Sequence, residues 1–144
     1  MAFLLKNGMK AFAFPKEERL CGKKQIDELF ASGKKFNLPL FRIAWQWQEI
    51  AAEETAHPVR ILISVPKRKF RRAHDRNRLK RQIREAWRLS RNPLPEKISG
   101  LSSENKMKAL HIAFLYQPDE KTAWPVLLEA MTKVVSILSK KAFE

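Results

Sequence analysis

Between Lys67 and Arg91 the chain concentrates its chemistry: Lys67, Arg68, Lys69, Arg71, Arg72, Arg76, Arg78, Lys80, Arg81, Arg84, Arg88 and Arg91 stand against only Asp75 and Glu85. Arginine dominates. A guanidinium presents a planar fork of donors that grips a phosphate through two parallel hydrogen bonds, where a lysine offers a point charge. Asn77, set inside the run, adds a neutral donor and acceptor suited to a ribose hydroxyl, a base edge or a metal-bound water, unless it merely supports the first turn of a helix. Groups for acid–base or metal chemistry are not gathered in this way. There is no paired-carboxylate metal motif, and His57, His74 and His111 lie in three separate segments without evident partners. The chemistry these residues support is the binding of a polyanion.

A helix is the element that would organise the run. Asp75 is a plausible N-cap for a helix reaching about Ser90, after which Asn92-Pro93-Leu94-Pro95 terminates it. At about 100° per residue, with Leu79 at zero, Ile83, Ala86, Trp87 and Ser90 fall within about 80° of it, a core-facing stripe. Asn77, Lys80, Arg81, Arg84, Arg88 and Arg91 fall between about 100° and 200°. A solvated charge run is the ordinary explanation of a basic helix face, but such faces intersperse acids at i,i+4 spacing and this arc has none. Nucleic acid is therefore preferred over an acidic protein. Charge does not separate DNA from RNA. No second helix follows at helix-turn-helix spacing, and a helix embedded between strands fits an α/β RNA-binding scaffold better.

The neighbouring elements follow from periodicity. Ile26, Leu29 and Phe30 recur at helical spacing between Lys23 and Phe30, and Ser32-Gly33 supplies a stop. Residues 38–48 switch to period two, with Phe41, Ile43, Trp45 and Trp47 on one face and Arg42, Ala44, Gln46 and Gln48 on the other. Val59, Ile61, Ile63 and Val65 alternate with Arg60, Leu62 and Ser64 in a second strand that Pro66 closes, and there is room for a further strand around 34–38. Residues 96–108 read as a polar, exposed connection before a strand from Leu110 to Tyr116. Asp119 or Thr122 could cap a last helix with Pro125 in its first turn and Leu127, Ala130, Met131, Val134 and Leu138 as its buried stripe.

The 144 residues suit one domain, and a hydrophobic fraction of 44% beside 31% charged residues is a globular balance. Lys and Arg number 29 against 15 Asp and Glu, a net +14, so most of the excess charge sits in the run described above. The single cysteine, Cys21, excludes an internal disulfide framework and a cysteine-based zinc site. Met1-Ala2-Phe3-Leu4-Leu5 is halted by Lys6, so neither a signal peptide nor a membrane span is expected, and the cytoplasm is the expected compartment. A cationic membrane-surface role fits poorly, because the arc opposite the charges is patterned for a core.

The run Arg71-Arg72-Ala73-His74-Asp75-Arg76-Asn77-Arg78-Leu79-Lys80-Arg81-Gln82-Ile83-Arg84-Glu85-Ala86-Trp87-Arg88-Leu89 closely resembles the signature of the protein subunit of bacterial ribonuclease P, in which Arg-Asn-Arg is followed by hydrophobe-Lys-Arg and then Arg-Glu. Phe14-Pro15-Lys16-Glu17-Glu18-Arg19-Leu20 resembles that family's amino-terminal segment, and Ile63-Ser64-Val65-Pro66-Lys67-Arg68 its strand leading into the basic loop. The resemblance spans about residues 14–140. One departure is Ile26, which stands one turn before Phe30 where the family usually carries a second aromatic residue.

The resemblance implies an α/β fold, an α+β sandwich with a small mixed sheet, similar to the second domain of a small-subunit ribosomal protein. It also implies a left-handed βαβ crossover around the Arg-Asn-Arg helix. Residues 14–144 would form this single domain, with 1–13 a flexible arm, and Phe12 and Phe14 within the loosely held stretch 1–15 could dock on the body. The implied function is that of the protein part of a ribonucleoprotein that removes the 5′ leader from precursor tRNA. Its partners are the ribonuclease P RNA and precursor tRNA, and the catalytic, Mg²⁺-dependent site belongs to the RNA. Arg76, Asn77, Arg78, Lys80, Arg81 and Arg84, with Lys67, Arg68, Arg71 and Arg72 of the loop and Arg88 at the periphery, are then expected to contact the catalytic RNA. The leader is expected on a different surface, where Phe30 offers a stacking plane and Arg42 and Arg60 offer phosphate contacts; alternatively Phe30 is core, paired with Ile26. A ribosomal protein or RNA chaperone using the same helix is the competing reading.

Overall fold

The computed structural model describes residues 19–20, 22–51, 59–92, 94 and 106–143. Its elements run α1 (Lys23–Ser32), β1 (Lys34–Asn37), β2 (Phe41–Ala51), β3 (Val59–Ser64), α2 (Ala73–Ser90), β4 (Lys106–Tyr116) and α3 (Trp124–Ala142). Phe12, Phe14, the arm of residues 1–13, Cys21, His57 and the connection 96–105 lie outside the described residues. The four strands form one mixed sheet in the order β1-β2-β4-β3, with β1, β2 and β4 successively antiparallel and β3 parallel to β4. A parallel pair needs a crossover, and α2 supplies it between β3 and β4.

Period-two alternation assigns each strand's side chains to two different layers. Ile43, Trp45, Ile61, Ile112 and Phe114 enter the main core with Leu79, Ile83, Ala86 and Trp87 of α2 and Leu127, Met131, Val134 and Leu138 of α3. The other face is small: Ala44 and Ala113 meet Leu29 of α1 and Leu20, with Ile26, Phe30, Leu62 and Leu115 packed around them. The two alanines let α1 lie close to the strands. Gly33 is required at the end of α1, because its amide donates to the Leu29 carbonyl at 2.8 Å and a Cβ there would collide with that same oxygen.

The boundaries depart from the sequence expectations in several places, among them β2, which runs over Phe41–Ala51 rather than 38–48. Helix α2 starts two residues before Asp75, with Arg72 at the N-cap and no side-chain cap. Asp75 instead lies in the first turn and reaches Lys121 at 3.2 Å, an ion pair that holds its carboxyl below the usual range. Helix α3 is capped by Ala123 without a side-chain bond, while the Thr122 hydroxyl pairs with that of Tyr116. Strand β4 begins at Lys106 rather than Leu110, because it pairs with all of β2, out to Ala51.

Candidate nucleic-acid interface

Helix α2 sinks one face completely, with Ile83, Ala86 and Trp87 at 0% exposure and the Trp87 ring edge-on to Phe114 at 5.6 Å. A helix anchored this firmly must turn its opposite arc outward. Asn77, Arg78 and Arg81 are exposed and Lys80, Arg84 and Arg88 half-buried, their stems lying along the protein while their charged ends reach the surface. Arg91 does not join them. It is 4% exposed at the C-cap of α2, where its amide donates to the Trp87 carbonyl at 2.9 Å and its carbonyl accepts from the Leu94 amide at 2.8 Å.

The basic loop before α2 is braced by its own chemistry. Phe70 is buried with its ring 6.0 Å from Tyr116, and the Lys69 and Phe70 amides both donate to the Pro66 carbonyl at 3.2 Å. The Lys69 ammonium donates to the Gln117 carbonyl. Arg76 donates to the Phe70 and Arg71 carbonyls at 2.8 and 2.9 Å, tying the first turn of α2 to the loop. Lys67, Arg68, Arg71 and Arg72 are left exposed along this fixed backbone.

Arg78 and Arg81 share a shallow groove with His74 and Asn77. Arg81 and Arg84 line a second one with Arg19, Glu85 and Arg88. Partial burial lowers the Arg84 pKa, and the neighbouring Arg19 and Arg81 lower it further, as crowding of like charges requires. Glu85 carries the acid within this stretch and is engaged by Arg88 through a two-bond ion pair, which holds the carboxyl below and the guanidinium above their ordinary values. The arc is thus less uniformly cationic than i,i+4 counting indicates, since this pair is i,i+3.

Residues 14–139 match the sequence profile of the Ribonuclease P family. The chain belongs to the ribonuclease P protein family. It is 34% identical over 122 residues to the ribonuclease P protein component of Porphyromonas gingivalis, covering 85% of this chain and 83% of that one. It is 31% identical over 105 residues to the component of Chlorobaculum tepidum, covering 73% and 68%. Two solved structures share the fold. The ribonuclease P protein of Staphylococcus aureus matches with a TM-score of 0.58 at 18% identity, over 83% of this chain and 94% of that one, and the protein of Thermotoga maritima with 0.55 at 19%, over 82% and 94%.

The stretch that resembles the ribonuclease P signature forms the end of the basic loop and nearly all of α2. Arg19, from the amino-terminal segment, joins this surface through a parallel bridge to Ile61, with the Leu20 amide donating to the Ile61 carbonyl at 2.8 Å. Nothing in the charge pattern distinguished Arg19, which follows Glu17 and Glu18.

The face carrying α1 brings together some of the residues expected at the leader. Phe30 and Arg42 line one groove with Lys35, Ala44 and Leu115. Phe30 is half-buried and also packs on the small core beside Ile26, so its ring serves both as a groove wall and as packing. Arg60 lies on the same sheet face but outside that groove, in a cross-strand row with His111 and Gln46. Its Nε is buried without a hydrogen-bond partner among the described residues. Lys35 was not anticipated, because a four-residue strand carries too short an alternation to assign its faces. His111 is 1% exposed, and burial with the adjacent Arg60 charge lowers its pKa to about 4 against a smaller opposing pull from Glu28. It is neutral at pH 7. Among the described residues no group of three or more His, Cys, Asp or Glu is placed to hold a metal ion, and no helix is long and apolar enough to cross a membrane.

Proposed function

We propose that this chain is the protein part of a ribonuclease P ribonucleoprotein, binding the catalytic RNA through α2 and the loop before it and the 5′ leader of precursor tRNA through the groove beside α1. The observation that carries the reading is the arc of Asn77, Arg78, Lys80, Arg81 and Arg84 on a helix whose other face is buried. Within it Arg76 acts by fixing the loop that presents Arg71 and Arg72. Arg88, already paired with Glu85, contributes less.

The division of labour follows from charge and reach. Phosphate contacts by cations position an RNA without reading its sequence, and each neutralised phosphate releases counterions. Cleavage of the leader, with the Mg²⁺ it uses, is assigned to the RNA subunit, and the protein's task is to hold that RNA and the substrate together in the cytoplasm. Reconstitution with a bacterial ribonuclease P RNA tests this. The complex should cleave precursor tRNA at Mg²⁺ concentrations where the RNA alone is slow, and the protein alone should cleave nothing; robust cleavage by RNA-free protein would overturn it.

A further inference from the structure

Among the described residues, the sheet has an open notch at its β3 edge. In the parallel bridge at Arg19, the Leu20 amide donates to the Ile61 carbonyl, so the amide and carbonyl of Ile61 point outward from β3. Backbone groups of a strand alternate in direction, so those of Ile63 point outward as well. Beyond that bond, no described residue pairs with the outward groups of Ile63. Among the described residues, a donor and an acceptor without partners therefore stand side by side at this sheet edge.

The same edge borders a groove of about 200 Å³ lined by the apolar Leu20, Ile61, Leu62 and Ile63 and by the cations Arg19, Lys80 and Arg84. Lys80 and Arg84 lie one turn apart on α2, and the Arg84 Nε donates to the Lys80 carbonyl at 3.4 Å. The volume is below the 300–1,000 Å³ typical of drug-sized ligand sites, so it fits one ring system rather than a stacked pair. Nearby, Arg81 adds to the positive field, while Glu85 is turned to Arg88.

We infer that this notch holds a single unstacked nucleotide of the bound RNA, its base on the apolar floor with its edge bonded to the Ile63 backbone and its phosphate held by Arg19, Lys80 and Arg84. The inference rests on α2 being the RNA-binding face and specifies how one nucleotide sits there. Because Ile63 offers one donor beside one acceptor, and every base carries such a pair on its edge, the notch is tolerant of sequence.

The test uses the full chain labelled with ¹⁵N and three probes: uridine 5′-monophosphate, ribose 5-phosphate and inorganic phosphate. Uridine 5′-monophosphate should shift the Ile63 amide and bind about ten-fold tighter than ribose 5-phosphate, the scale of one or two net base-edge hydrogen bonds. Inorganic phosphate should move only the Arg19, Lys80 and Arg84 signals. Equal affinity for the two sugar phosphates, or an Ile63 amide unmoved by the nucleotide, would overturn the inference. If the ribonuclease P RNA still binds with a salt dependence that Arg81→Ala reduces, that failure belongs to the notch alone and leaves the wider RNA face standing.

Discussion

The two faces of this sheet are made by the same strands and end with opposite designs. Toward α2 and α3 the strands project Ile43, Trp45, Ile112 and Phe114, large side chains that two long helices cover. Toward α1 they project Ala44 and Ala113, with Arg42, Gln46, Arg60 and His111 to either side, and a ten-residue helix covers only the middle. A deep apolar layer can hold a helix by half its surface, which frees the other half for a density of charge that a less firmly anchored helix could not carry. A shallow layer leaves strand surface uncovered, and polar groups line what remains. On the proposed reading, the first side offers strong, sequence-blind attraction through the outer arc of α2 and the second a shaped contact with one aromatic wall.

The largest expected effect strikes the α1 face at His111. Its folded pKa of about 4 lies below the ordinary 6.5, so the unfolded chain binds the proton more tightly. The stability from keeping this ring neutral is complete above about pH 6.5 and is lost as pH falls toward 4, a total on the order of 3 kcal/mol. Thermal melts of the full chain should therefore fall between about pH 7 and pH 5. His111→Leu should remove most of that slope; an unchanged slope would show that His111 is not the group responsible for it.

A smaller effect separates the two faces by ligand. Phe30→Ala removes the aromatic wall of the groove that also contains Arg42 and Lys35. Stacking on an aromatic ring contributes about 1–3 kcal/mol per base, so binding of precursor tRNA by the holoenzyme should weaken about ten-fold while that of mature tRNA changes little. Equal loss for both tRNAs, or a large drop in melting temperature, would make Phe30 a packing residue of the small core and leave the groove without a stacking function.

Much of this arrangement was legible in the residues because alternation and helical spacing are strong signals in long elements. The stripe Leu79, Ile83, Ala86 and Trp87 and the faces of β2 and β3 are read directly from their periods. What escaped depends on contacts between distant segments. Arg91 falls with the cations on a helical wheel yet is 4% exposed, because a wheel gives the angle of a side chain about the axis and not what the rest of the chain lays over it. Arg19 reaches the cationic surface of α2 through one bridge to Ile61, and two residues carry no period. Asp75 resembles a cap by type, yet Lys121, far along the chain, offers it a charged partner. Phe30 and Arg42 could be placed on one surface, whereas Arg60 could not be excluded from their groove without the strand order, which sets β3 beyond β4.

The assignment of α2 as the RNA face is tested most directly by the salt dependence of binding to a bacterial ribonuclease P RNA. Each neutralised phosphate contributes about 0.9 to the slope of log K against log salt on duplex and about 0.7 on single strands. Arg81→Ala and Arg84→Ala, both lining the groove with Arg19, should each weaken binding and lower the slope by close to one such increment. Slopes unchanged from the unmodified chain in both variants would show that the arc is solvated charge, and the central claim would be wrong.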